Sequence, residues 1–114
     1  MSCWRVAAAA TPDVSREVMH LLQFVQQSGC AFYRNGSWYP ASRASEHLRL
    51  KYDYLDQRHQ VSSTEDFIAK AATRSSVSGE QYQVRCVGTT QSAADSWLNA
   101  ELARYRATLK SAAR

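Results

Sequence analysis

The dipeptide Asn35-Gly36 constrains this chain more than any other feature, because two aromatic-rich runs flank it: Cys30-Ala31-Phe32-Tyr33-Arg34 and Ser37-Trp38-Tyr39-Pro40. Both residues tolerate positive φ, which a two-residue type I′ turn requires, so the segment predicts a β-hairpin. The short loop also sets the register: Arg34 faces Ser37, Tyr33 faces Trp38 and Phe32 faces Tyr39. Alternation puts Cys30, Phe32 and Arg34 on one face. A lone hairpin is barely stable in water, so another strand has to join it. Glu80 to Val87 is the segment with the right pattern, with Tyr82, Val84 and Cys86 on one side.

The remaining patterned segments have helical spacing. Val14, Val18, Leu21, Leu22 and Val25 make one apolar stripe. Thr11 is placed to cap that helix with Pro12 at its first position, or Ser15 starts it, and Gly29 ends it. From Ala41 to about Gln57, Ala41, Ala44, Leu48, Tyr52 and Leu55 predict a buried stripe, while His47, Lys51 and Tyr54 project from the adjacent one. Ser62 with Glu65, or Ser63 with Asp66, makes a capping box for a third helix. That helix buries Phe67, Ile68, Ala71 and Ala72 and ends near Arg74. Ser92 with Asp95 caps the last helix, whose inward residues are Ala94, Leu98, Leu102, Tyr105 and Leu109.

The expected fold is α+β: a small three-stranded antiparallel sheet, hairpin plus one later strand, packed against about four helices. A chain of 114 residues fits one domain, here expected over 11–110, with a frayed tail at 111–114. At this size about two thirds of the unfolded surface can be buried, so no metal is needed to hold the core. If the later strand pairs with the hairpin, Cys30 and Cys86 both lie on its inward side and a disulfide between them is expected. Two buried free thiols are the alternative.

The net charge of +4 raises the question of an anionic partner. Arg43, Arg49 and Lys51 alternate with Glu46 and Asp53, a pattern typical of a solvated helix face. Only the last eleven residues, carrying Arg104, Arg106, Lys110 and Arg114, read as uncompensated, so nucleic-acid binding through a basic surface ranks third among the functions considered. No segment has the ~20 apolar residues of a membrane span. Residues 1–10 are expected to be unstructured; the small residues at Ala7-Ala8-Ala9-Ala10 read as the stump of a secretion signal, with a flexible leader as the alternative.

Catalytic and cofactor motifs are thin. No CxxC or CxxH spacing occurs, and His20, His47 and His59 show no ligand spacing, so neither metal nor cofactor is expected. Near Lys51, His47 is expected to stay neutral, and Ser75, Ser76 or Ser78 could offer it a hydroxyl. There is, however, no nucleophile elbow and no acidic residue singled out as an orienting partner. The blander expectation is that the His47 ring bonds a backbone carbonyl and that Lys51 keeps its helix soluble. Arg34, beside Asn35 at the hairpin tip, is not needed for the turn and could meet an acidic or phosphate group. Trp38, paired with Tyr33, has the chemistry of an interface hot spot unless the last helix covers it. The candidate binding set is Arg34, Asn35, Trp38, His47, Lys51, Ser75 and Ser76.

Several of these segments, in order, carry a resemblance: Ser28 through Gly36, Tyr39, His47-Leu48-Arg49-Leu50-Lys51-Tyr52, Thr64-Glu65-Asp66-Phe67-Ile68, Arg74 through Gly79, Tyr82 and Trp97-Leu98. Over roughly residues 14–106 the sequence resembles a family of small bacterial secreted proteins, the YfeK-like domain of unknown function. The resemblance implies a periplasmic home and supports the Cys30–Cys86 bridge; it implies no mechanism. The leading expectation is a non-enzymatic periplasmic binding protein for another envelope protein, as an inhibitor or immunity-type protein, or for a cell-wall component. A small hydrolase-like enzyme using His47 and a serine of the 75–78 turn is the alternative.

Overall fold

A computed structural model describes residues 12–112, so the proposed leader and the Thr11 cap lie outside the described residues. Helix α1 spans Pro12–Gln27 and stops before Gly29, whose φ of 70° supplies the left-handed exit. Strands β1 (Ala31–Arg34) and β2 (Ser37–Pro40) form the hairpin in the register set by its turn, with Asn35 and Gly36 at φ 51° and 88°. Helix α2 (Ala41–Gln57) follows directly from Pro40. Helix α3 is Thr64–Ala71, and Ser63 caps it by accepting from the Asp66 N–H. Strands β3 (Gln83–Arg85) and β4 (Ser92–Ala93) then lead into α4, Ala94–Ala112.

The sheet is antiparallel with order β2-β1-β3-β4, four strands where three were expected. The segment after β3 turns back, and Ser92 and Ala93 pair with Val84 and Gln83. Ser92 is therefore a strand residue rather than the cap of α4. Strand β3 is also shorter than Glu80–Val87, and only an isolated bridge between Arg74 and Gln81 continues it.

One face of the sheet meets the helices. Phe32 and Val84 are buried there, and Trp97 of α4 packs edge-on to Phe32 at 5.4 Å. Val18, Leu21, Val25, Phe67, Ile68 and Leu98 complete the core. On α2 the buried residues are Ala41, Ser45, Leu48 and Tyr52, while Ala44 and Leu55 are only partly covered. Ser45 replaces them in the seam because its hydroxyl donates to the Leu22 carbonyl of α1 at 2.8 Å, which satisfies a buried polar atom where the two helices touch. Cys30 and Cys86 are joined, with Cα atoms 4.3 Å apart and a sequence separation of 56. The bridge ties the exit of α1 to the end of β3, on the inward side of the sheet.

The last helix departs from expectation in three ways. Leu109 is 45% exposed rather than inward, since the buried stripe of α4 ends at Leu102. Two of the basic residues there, Arg104 and Arg106, are not uncompensated. Arg106 forks between Glu17 of α1 and Glu65 of α3, at 2.7 and 2.6 Å, and Arg104 pairs with Glu101. Glu101 also bonds His20, whose ring stacks on Tyr105 at 4.0 Å. These contacts pin α4 across α1 and α3. The helix continues to Ala112, past the expected limit at 110; residues 113–114 lie outside the described part.

Candidate functional site

The hairpin tip, one side of α2 and the turn after α3 converge. Arg34 is the last residue of β1, and the pleat points it to the helical side of the sheet with Phe32. Its guanidinium lies 4.5 Å from the Tyr39 ring, the diagonal same-face neighbour on β2. His47 and Lys51 occupy successive turns of α2. The 75–79 segment is locked by its own hydrogen bonds: the Ser75 hydroxyl accepts from the Val77 and Ser78 N–H groups, and Gly79 N–H donates to the Ser75 carbonyl. The Ser78 hydroxyl donates to the Asn35 side chain at 2.6 Å and so fastens this turn to the hairpin tip.

Between these three elements lies an open cleft of about 540 Å³ lined by Arg34, Asn35, His47, Lys51, Ser75 and Ser76. These are six of the seven candidate residues. Trp38 is not among them. Its side chain is on the opposite sheet face, between Tyr33 at 5.4 Å and the Arg85 guanidinium at 4.0 Å, and α4 covers the Phe32 face instead. The cleft also draws on residues that the sequence did not single out as site residues. Tyr82 accepts a hydrogen bond from Lys51 Nζ at 3.1 Å, and Lys70, bonded to Asp66 and to the Gln60 carbonyl, stands at the rim. Leu50, Tyr54 and Val77 add exposed apolar surface. Tyr82 reads as an ordinary core strand residue in sequence, and nothing marks its hydroxyl as the partner of a lysine 31 residues away.

Charge in the cleft is one-sided. Arg34, Lys51 and Lys70 line it, and no Asp or Glu is among the described lining residues. The contacts of Arg34 and Lys51 are with the tyrosines, so their charges are not neutralised by carboxylates of the cleft. His47 feels this directly. Burial of its ring, then the positive charges of Arg34 and Lys51, lower its pKa from 6.5 to about 4, so it is a neutral imidazole at neutral pH. Its Nε2 is buried and has no hydrogen-bond partner, in place of the expected bond to a backbone carbonyl. Lys51, expected to serve solubility, is half-buried and hydrogen-bonded.

The chemistry open to this arrangement follows from those partners. Ser75 is 3% exposed, and its hydroxyl already accepts two backbone N–H groups, so it is a turn-former. Ser76 is exposed at the cleft wall. Around His47 the orienting carboxylate of a nucleophilic triad is replaced by two cations, which weaken the imidazole as a base. Among the described residues no group of three or more His, Cys, Asp or Glu is placed to hold a metal ion. No helix there is long and apolar enough to cross a membrane.

Among the described residues, four helices on an antiparallel sheet, a Cys30–Cys86 disulfide and a cationic cleft thus define the class of molecule in hand. The chain belongs to the DUF5329 family, a family of unknown function, whose pattern covers residues 12–106. Over 57 residues it is 37% identical to "Uncharacterized protein YfeK" of Salmonella typhimurium, a stretch that is 50% of this chain and 46% of that relative. The aligned stretch thus spans about half of each chain. No solved structure matches.

Proposed function

We propose that the protein is a non-enzymatic binding protein of the bacterial periplasm, and that its cleft receives an anionic group of another envelope protein or of a cell-wall component. One observation carries this reading: Arg34, Lys51 and Lys70 share a cleft in which no carboxylate is among the described lining residues. Lys70 is paired with Asp66, whereas the contacts of Arg34 and Lys51 are with tyrosines. Cations not neutralised by a carboxylate raise the local concentration of anionic ligands and favour their binding. A volume of about 540 Å³ falls within the usual range for ligand sites. The disulfide suits an oxidising compartment, and the resemblance to secreted proteins points the same way.

The test is capture from an envelope extract on immobilised protein, wild type against Arg34→Gln/Lys51→Gln, with the fold of both checked by melting temperature. A partner held by the wild type and released by the double variant is the expected result. Equal capture by both proteins, or none by either, overturns the cleft as the binding surface. If instead His47→Ala abolishes a measurable turnover, the hydrolase reading replaces this one. DNA affinity falling steeply with salt would support the nucleic-acid reading.

A further inference from the structure

Beside the cationic cleft lies a second, smaller pocket of about 40 Å³, partly open at the surface. Its walls are mostly apolar and include Val25, Phe32, Leu48, Ala72 and Leu98. Arg34, His47 and Tyr82 line both spaces, so the charged cleft and the apolar pocket adjoin. One water needs roughly 10–15 Å³ on this measure, so the hole has room for about three waters or for a group of three or four carbon atoms. Its mainly apolar surface favours an apolar guest, whose burial there is driven by the hydrophobic effect.

The shared wall adds a polar element. The His47 and Tyr82 rings meet edge to face at 6.3 Å, and the His47 Nε2 has no partner within the protein although it is shielded from solvent. Buried polar atoms are rarely left so, and a water or a polar group of a ligand can make the missing bond. On the cleft side, the Arg34 fork and the Lys51 ammonium can hold a carboxylate, the fork by two parallel bonds.

Resting on the proposed anion-binding cleft, we infer that its ligand joins a carboxylate to a short aliphatic group: the carboxylate lies at Arg34 and Lys51, and the aliphatic group enters the cavity behind His47 and Tyr82. Two sources carry that chemistry, a free short-chain acid and the C-terminus of a peptide ending in a small apolar residue. The preference should be steep at the aliphatic position, because a hole of this size admits an isopropyl group and rejects an aromatic ring. Phosphate satisfies the cations and leaves the hole empty.

Isothermal titration of the oxidised full chain tests this with defined probes: Gly-Gly-Val, its C-terminal amide, Gly-Gly-Gly, Gly-Gly-Phe, isobutyrate and inorganic phosphate. Gly-Gly-Val is expected to bind at least tenfold more tightly than its amide, than Gly-Gly-Gly and than Gly-Gly-Phe. Arg34→Gln should lose the preference for acid over amide. Ala44→Leu, at the partly covered edge of the cavity, should lose the preference for Val over Gly while keeping that for acid over amide. Should Ala44→Leu fail to fold, the order of the three tripeptides on the wild type makes the same distinction. Isobutyrate binding as tightly as Gly-Gly-Val identifies a free acid; binding of the tripeptide alone identifies a peptide C-terminus. If Gly-Gly-Gly or phosphate matches Gly-Gly-Val in an Arg34-dependent way, the aliphatic subsite is refuted and the anionic cleft stands. If acid and amide bind alike, or no probe binds, this inference falls, and capture from envelope extract separately decides the cleft.

Discussion

Acidification from pH 7 to pH 5 should remove stability through His47. The ring is half-buried on α2, faced by Arg34 from β1, by Lys51 from its own helix and by the edge of Tyr82 beside β3. Its pKa falls from 6.5 to about 4 on folding. The unfolded chain therefore takes up this proton first, and stability is lost as pH falls from the unfolded value towards the folded one. A fully shielded group with that displacement would lose about 2 kcal/mol between pH 7 and pH 5. The ring is partly open to solvent, which screens its neighbours, so about 1 kcal/mol is expected. Urea unfolding of wild type and His47→Phe across this range, with the disulfide intact, measures it. With a denaturant slope typical of small domains, the wild-type midpoint should fall by roughly 0.5–1 M more than that of the variant. The difference between the two proteins cancels the contribution of every titratable group that both carry. Equal pH slopes for both proteins would refute the electrostatic account of this site.

Other perturbations separate the remaining features. Replacing Cys30 and Cys86 together by Ala opens a loop closed across 56 residues and should cost about 4 kcal/mol in the chain-entropy treatment, read as a lowered denaturation midpoint. Arg106→Ala should cost about 1–2 kcal/mol at pH 7, because Glu17 is left without its forked partner. Arg106 is the leading cause that holds Glu17 and Glu65 below the usual carboxylate value. The wild-type gain is thus present above about pH 4.5 and is lost as pH falls through the lowered values, so the two melting curves should converge in strong acid. Ser63→Ala removes the cap that receives the Asp66 N–H and should cost about 1 kcal/mol, measured in the same way.

What the sequence revealed and what it hid divide by the range of the interactions. The hairpin register followed from Asn35-Gly36, and the bounds of α2 from its helical spacing, because both depend on residues a few positions apart, although Ser45 rather than Ala44 lies in the buried seam. Strand β4 was invisible: Ser92-Ala93 has neither length nor alternation, and it pairs only because the chain doubles back onto β3. Arg106 read as a free charge because its carboxylate partners lie 89 and 41 residues away. The cleft was legible residue by residue and not as a place. Arg34 drew notice as unneeded by its turn, and His47, Lys51 and Ser76 for their chemistry, while the Ser78–Asn35 bond that gathers their segments spans 43 residues. Trp38 was drawn in by its chemistry and is excluded by the pleat, which sends it to the opposite face from Arg34.

The claim on which the functional account turns is that anions bind between the hairpin tip, α2 and the 75–78 turn. Backbone amide shift mapping of the isotopically labelled protein, titrated with a carboxylate-bearing peptide at low and moderate salt, tests it most directly. The account predicts saturable, salt-weakened changes concentrated at Arg34, Asn35, His47, Lys51 and Ser76, and their loss in Arg34→Gln/Lys51→Gln. Changes centred on the outer face at Trp38 and Arg85, or along α4, or unaltered by the double variant, would contradict it.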